Sequence, residues 1–418
     1  MIAPSVLALT LALAGSLDAH AGALSVEVKA GDFDRLDTPV AVVIPADRFA
    51  PPVLAALKLG PQTLRLTRDG DEGDMAAQAE FSGEDEANVS VSFLLEGATP
   101  ARTGRRYRLA SAEVTRSTSP WSIDERSPGI WELKNRERSV FRYNAVPAGH
   151  PNHASILRRD AYIHPAFSPS GALVTGDFSR LHPHHRGFFL AHTKTQVGSL
   201  HPDFWNFQNG SGRIVSEGLT THAVGPVSAM FRTRHRWEAG GGVVLRETWD
   251  VEAHDIPGAK YWLFDLTSTQ RAEATPLELL PYRYGGMAYR GAETFEKGPL
   301  DVLTSEGHHR VDGDQKPARW VDLTGPVEGG SMPYAGAMIC DHPGNTNHPT
   351  VARIHPTTLP FFSYTPNHDA RVVIRADAPT VFRYRILIHD GHPDPVLDER
   401  IWRDFSDPPT LTVAADPA

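Results

Sequence analysis

Residues 227–238 alternate with a period of two, and this pattern limits the fold more than any other feature of the chain. Val227, Ala229, Phe231, Thr233, His235 and Trp237 fall on one face, while Ser228, Arg232, Arg234, Arg236 and Glu238 fall on the other, with Met230 the exception. Only an extended strand sends successive side chains to opposite faces. Gly240-Gly241-Gly242 turns the chain into another such run, 243–251, and 261–269 supplies a third. Long, closely spaced strands of this kind suit a large antiparallel two-sheet sandwich. The 35 glycines and 34 prolines are spread throughout and helical periodicity is scarce, residues 51–59 being its best example. The fold class is therefore all-β.

Shorter alternating segments (24–28, 40–44, 63–67, 89–93, 106–109) mark residues 24–112 as a small N-terminal β-sandwich, an accessory domain without clustered catalytic residue types. A polar linker, 113–136, leads to the large domain, 137–410. Residues 1–21 read as a signal peptide: the apolar run Val6–Ala14 precedes Ala19-His20-Ala21, a small-x-small cleavage site, which implies a periplasmic or extracellular protein. No later segment reaches the ~20 apolar residues of a membrane span, so no membrane partner is expected after the signal is removed. The net charge of −9 argues against nucleic acid. The single cysteine, Cys340, excludes an intrachain disulfide and reads as a buried strand residue.

Four of the 20 histidines fall within residues 181–192, together with Arg186. In an extended segment His182 and His184 would point one way and His185 the other, and His182, His184 and His192 form the metal set to consider, for zinc or copper. A metal-free site in which His184 or His185 transfers the proton needs no cofactor, and it is the preferred reading. Arg186, with a fixed fork of donors, suits a carboxylate or vicinal hydroxyls, or else pairs with Asp177. Glu247 lies on an apolar face, where a raised pKa would make it a general acid; its alternative is pairing with an arginine such as Arg234. For a two-carboxylate hydrolysis Glu247 and Asp203 are the pair on offer. Tyr282-Arg-Tyr-Gly-Gly-Met-Ala-Tyr-Arg290 places two glycines where backbone can approach a ligand, with Tyr284 and Arg290 as a proton-transfer and anion-stabilising pair. Trp205 and Trp320 are candidate sugar platforms or core residues. Arg319, Asp341, His342, Asn345 and His192 complete the substrate-binding candidates.

Pro183-His-His-Arg-Gly187, His192, Asp203-Phe-Trp205, Tyr284-Gly-Gly286, Ala318-Arg-Trp320 and Asp341-His-Pro-Gly-Asn345, in this order, resemble the bacterial family of unknown function labelled "PmoA family" or "methane oxygenase PmoA" over residues 137–400. The label implies copper oxidase chemistry in a membrane protein, which no segment after residue 21 matches. The family's association with sugar catabolism implies a carbohydrate role. The long-strand sandwich also resembles the galactose-mutarotase-type supersandwich of epimerases, glycosidases and polysaccharide lyases, by fold analogy alone. The expectation is thus an enzyme that cleaves a glycosidic linkage in an oligosaccharide or glycoside, as hydrolase or lyase. The alternatives are a non-catalytic glycan-binding protein and a histidine-ligated metal-dependent oxidase.

Overall fold

The computed structural model describes residues 23–415, apart from 71, 72, 84, 117, 151, 153–156, 208 and 358. The signal peptide expected at 1–21 lies outside the described residues. Alternation governs almost all of the rest: strands make up 53% of the chain and helices 7%. Every strand pair between Ala23 and Ala415 with a defined register is antiparallel.

The first unit is a seven-stranded sheet that begins with Ala23–Lys29. It curls until its edge strands, Arg35–Pro45 and Thr410–Ala415, touch around Val26, Leu64, Val91, Phe93 and Tyr107. The strand Thr410–Ala415 comes from the far end of the chain and pairs along Ala23–Lys29. Proline at the first helical positions starts the helix Pro51–Leu57, as the sequence suggests.

Two large sheets form the second unit. One has eight strands and centres on Ser228–Ala239, Gly242–His254, Tyr261–Ala272 and Thr380–Asp390. The other has nine, with Phe188–Ala191 between Gly286–Arg290 and Tyr162–Ala166 at its centre. They pack face to face: Phe141 meets Phe264 at 5.0 Å between ring centroids, and Tyr364 meets Tyr384 at 6.2 Å. The two inner faces share one apolar core, the arrangement of a two-sheet sandwich.

The boundary differs from expectation. Strands Trp121–Ser127 and Ile130–Asn135 fall inside the segment 113–136 read as linker, and they form one edge of the nine-stranded sheet. Their polar, charged composition belongs to an edge strand with one wet face, which sequence alone does not separate from a linker. Residues 227–238 keep the expected alternation from Phe231 to Trp237. Ser228 and Met230 are buried as well. There the first unit covers the outer face, and Gln78 bonds the backbone of Val227 and Ser228. A second helix, Pro395–Ser406, capped by the Asp394 carboxylate, lies on Leu263, Met338, Cys340 and Leu387 of the eight-stranded sheet. Cys340 is buried, as expected.

Candidate functional site

The histidine segment folds as a turn rather than a strand. Pro183 occupies its second position, and the amide of His185 donates to the carbonyl of His182 at 3.0 Å. The turn brings all three imidazoles to one side, where their ring nitrogens lie within 4.8 Å of one another. His192 is not among them. It sits in the sandwich interior, 5.4 Å from Trp237, with Nε2 3.3 Å from Gln270 Oε1. The set His182, His184, His192 is therefore replaced by His182, His184 and His185, because a turn abolishes the alternation on which the first choice depended.

Arg186 holds this turn. It pairs with Asp177 at 2.9 Å and donates to the carbonyls of Pro183, His185 and Leu157, while Phe178 covers its guanidinium at 3.6 Å. Its Nη1 and Nη2 are hydrogen-bonded to the chain and its Nε faces the Asp177 carboxylate, so it supports the site instead of binding substrate. Gly187 follows because a Cβ there would lie 2.1 Å from the carbonyl of Ile163. Across the sheet, the amide of Arg290 donates to the carbonyl of Gly187, and Phe361 pairs with Arg290 while stacking on His185 at 4.4 Å. Three central strands thus deliver the cluster to one end of the sheet. His355, 5.9 Å from His182, adds a fourth ring.

Burial keeps these imidazoles neutral. It lowers His182, takes His184 down to about 3 and His355 to about 4, and pushes His185 well below its ordinary value; neighbouring cations act in the same direction. Arg290 gives one nitrogen to Glu296 and leaves Nε and Nη1 without a partner among the described residues. Arg159, which no sequence pattern singles out, lies between Phe189 and Phe207 at 4.5 and 4.9 Å.

Trp205 is fully buried, 5.9 Å from His185 and 5.5 Å from Tyr284, so it is a wall of the cluster and not an exposed sugar platform. Asp203 caps the turn that presents it, accepting from the amides of Trp205 and Asn206 and from the Asn206 side chain. Tyr284 and Arg290, expected to act together, stand at opposite ends of the strand Gly286–Arg290. The Tyr284 phenol donates to Asn206, and burial pushes it up to about 12, so it stays protonated. The glycine pair serves the chain itself: a Cβ on Gly286 would lie 2.1 Å from the carbonyl of Tyr364.

Glu247 is no general acid. His235 and not Arg234 stands across from it in register. It accepts from His235 Nδ1 (2.9 Å), Trp237 (3.0 Å), Trp249 (2.8 Å), Ser268 (2.5 Å) and Gln270 (3.1 Å). Burial would raise its pKa, but these donors, His235 foremost, hold it down to about 2. With Glu247 saturated and Asp203 capping a turn, the expected hydrolytic pair is not assembled.

The remaining candidates form a separate network around the helix Pro395–Ser406. Arg319 and Trp320 both bond Glu399. Asp341 accepts from Asn345, His348 and Thr350, and His342 packs on Phe405 at 4.9 Å. None of these partners belongs to the histidine turn.

Three neutral imidazoles are the right donors for zinc or copper. The charge around them is wrong. Asp177 and Glu296 are committed to Arg186 and Arg290, and Arg159 adds a further positive charge that acts on His184 and His185. A divalent cation would add to this positive field, which suits an anion better. The described residues include no helix long and apolar enough to cross a membrane.

No curated protein sequence matches the chain. Among solved structures it is similar to a protein in glycosyl hydrolase family 38 from Enterococcus faecalis, with 9% identity and a TM-score of 0.40, covering 94% of this chain and 47% of that one. It is similar also to an alpha-mannosidase from Enterococcus faecalis V583, with 8% identity and a TM-score of 0.40, covering 94% of this chain and 46% of that one. The chain thus spans about half the length of each. A family model matches residues 131–403, and the chain belongs to the family it describes, a family of unknown function designated DUF6807.

Proposed function

We propose that this protein is an exported carbohydrate-active enzyme that breaks a glycosidic linkage by β-elimination. One observation carries the reading: among the described residues, neutral histidines stand beside guanidinium nitrogens that lack partners, while the carboxylate pair that hydrolysis needs is absent from the cluster. In this reaction His184 or His185 removes the proton α to a carboxyl or keto group of the sugar. The electron pair forms a carbon–carbon double bond, the β carbon–oxygen bond breaks, and the departing oxygen takes the proton back from the imidazolium. Arg290 stabilises the enolate-like anion in between. An anionic substrate bound among these cations raises the imidazole pKa towards a useful range for a base.

The test is a panel of oligosaccharides and glycosides followed by product analysis. The expected result is a new unsaturated, ultraviolet-absorbing end, lost in both His184→Ala and His185→Ala. New reducing ends without unsaturation would favour hydrolysis, and affinity without any product would favour a glycan-binding protein. Either outcome ends the proposal.

A further inference from the structure

Five arginines are fully buried among the described residues, and four of them have a carboxylate partner. Arg35 pairs with Asp404, Arg186 with Asp177, Arg290 with Glu296 and Arg385 with Asp265. The fifth is Arg159. It is 1% exposed, and none of its three guanidinium nitrogens has a hydrogen-bond partner among the described residues. The carboxylate next to it in sequence, Asp160, faces another way and accepts from the amide of Ser216 at 3.0 Å. Burying a cation without an anion is strongly unfavourable. Solvent can satisfy the hydrogen bonds of a guanidinium, but it cannot balance its charge inside a protein.

The place of Arg159 gives this imbalance a direction. Its guanidinium lies against Phe189, whose ring is 4.7 Å from Trp205, and Trp205 is 5.9 Å from His185. Further unpartnered polar atoms gather in the same neighbourhood: Arg290 Nε and Nη1, Trp205 Nε1 and His185 Nδ1. A buried donor left unmet is costly, so a cluster of them marks a binding site more readily than a structural device. Arg186 and Arg290 have their own carboxylate partners, and Asp160 and Glu247 act on Arg159 through space without bonding it, so its guanidinium is the buried cation left without a bonded counterion. A monoanion matches it, and a planar guanidinium with two parallel donors matches a carboxylate.

We propose that Arg159 is the binding site for the carboxylate of a uronic acid, and that the protein's substrates are uronate-containing glycans. The binding claim stands on Arg159 alone; its use in elimination rests on the reaction proposed above. A carboxylate held there provides the group that acidifies the α hydrogen, within the cluster that holds the candidate base.

The experiment is calorimetric titration of the full chain with sodium D-glucuronate and D-galacturonate, and with D-glucose, D-galactose and sodium acetate. At least one uronate should bind about tenfold or more tighter than its neutral counterpart and than acetate. Arg159→Met should reduce that ratio to about one, and Arg159→Lys should retain part of it. Equal affinity for uronate and neutral sugar in the wild type overturns the proposal, and so does acetate binding as tightly as uronate. These comparisons decide the matter even if Arg159→Met fails to fold. The two readings can also fail separately. Arg159-dependent uronate selectivity without any unsaturated product keeps this site and ends the elimination reading. Unsaturated products from a neutral glycan, unaffected by Arg159→Met, do the reverse.

Discussion

Glu247 shows how far a single residue's role depends on what surrounds it. An acidic side chain on an apolar strand face suggests a proton donor; five donors in place make it a permanent anion instead. Its folded pKa of about 2 lies below the ordinary 4.5, so its contribution to stability is complete above pH 4.5 and disappears as pH falls towards 2. Glu247→Gln should therefore lower unfolding stability at neutral pH by about 3 kcal/mol, since an amide cannot accept all five bonds. Urea denaturation at pH 7 and pH 3 checks this, with a much smaller difference from wild type expected at pH 3. An unchanged stability at pH 7 would contradict the structural role. His182, His184 and His185 make the opposite point: three metal-type donors share a site whose field repels cations. Untagged protein should carry no stoichiometric zinc or copper by elemental analysis, and chelation should leave turnover unchanged.

At the level of elements, the strands were legible because alternation reports burial directly, as Phe231, Thr233, His235 and Trp237 show. The helix Pro51–Leu57 was legible from the helical periodicity of residues 51–59. The strands Trp121–Ser127 and Ile130–Asn135 were not legible, because an edge strand with charged residues carries little apolar contrast. The candidate site was half legible. The histidine cluster and Arg290 were found from local density and residue type. Arg159 was not, since a missing partner is a property of three-dimensional surroundings with no counterpart in sequence. The extended reading of 181–185 failed for a nameable reason: Pro183 is at home in the second position of a turn, and Arg186 fastens that turn from below. Lysine at this position can meet Asp177 but cannot reach three carbonyls at once. Arg186→Lys should cost roughly 1–3 kcal/mol of stability and broaden the ring signals of His184 and His185 in NMR spectra. Unchanged ring signals would show that the turn stands without its arginine.

On the scale of the whole molecule, the two units meet over strands whose contacts are polar and sensitive to charge. Gln78 of the first unit bonds Val227 and Ser228 of the second. Two positions further along the same strand, the half-buried Glu80 faces the field of the buried Glu252. Burial, then repulsion from Glu252, pushes the Glu80 carboxyl up to about 8 from 4.5. A raised carboxyl pKa means that the folded state holds a proton the unfolded state has lost. The resulting stability is fully present below pH 4.5 and is lost as pH rises through about 8. Asp398, raised by burial and by Asp322 to about 9, acts with the same sign in the helix Pro395–Ser406. The thermal midpoint should therefore carry a declining contribution from these two groups between pH 4.5 and about pH 9. Glu80→Gln, which holds the neutral form at every pH, should recover roughly 2 °C at pH 9, less at pH 6 and almost nothing at pH 4.5, and Asp398→Asn should recover a separate part. Scanning calorimetry of the wild type and both variants across this range is the measurement. A midpoint in Glu80→Gln that falls as steeply as in the wild type would mean that the contact between the units does not depend on that proton.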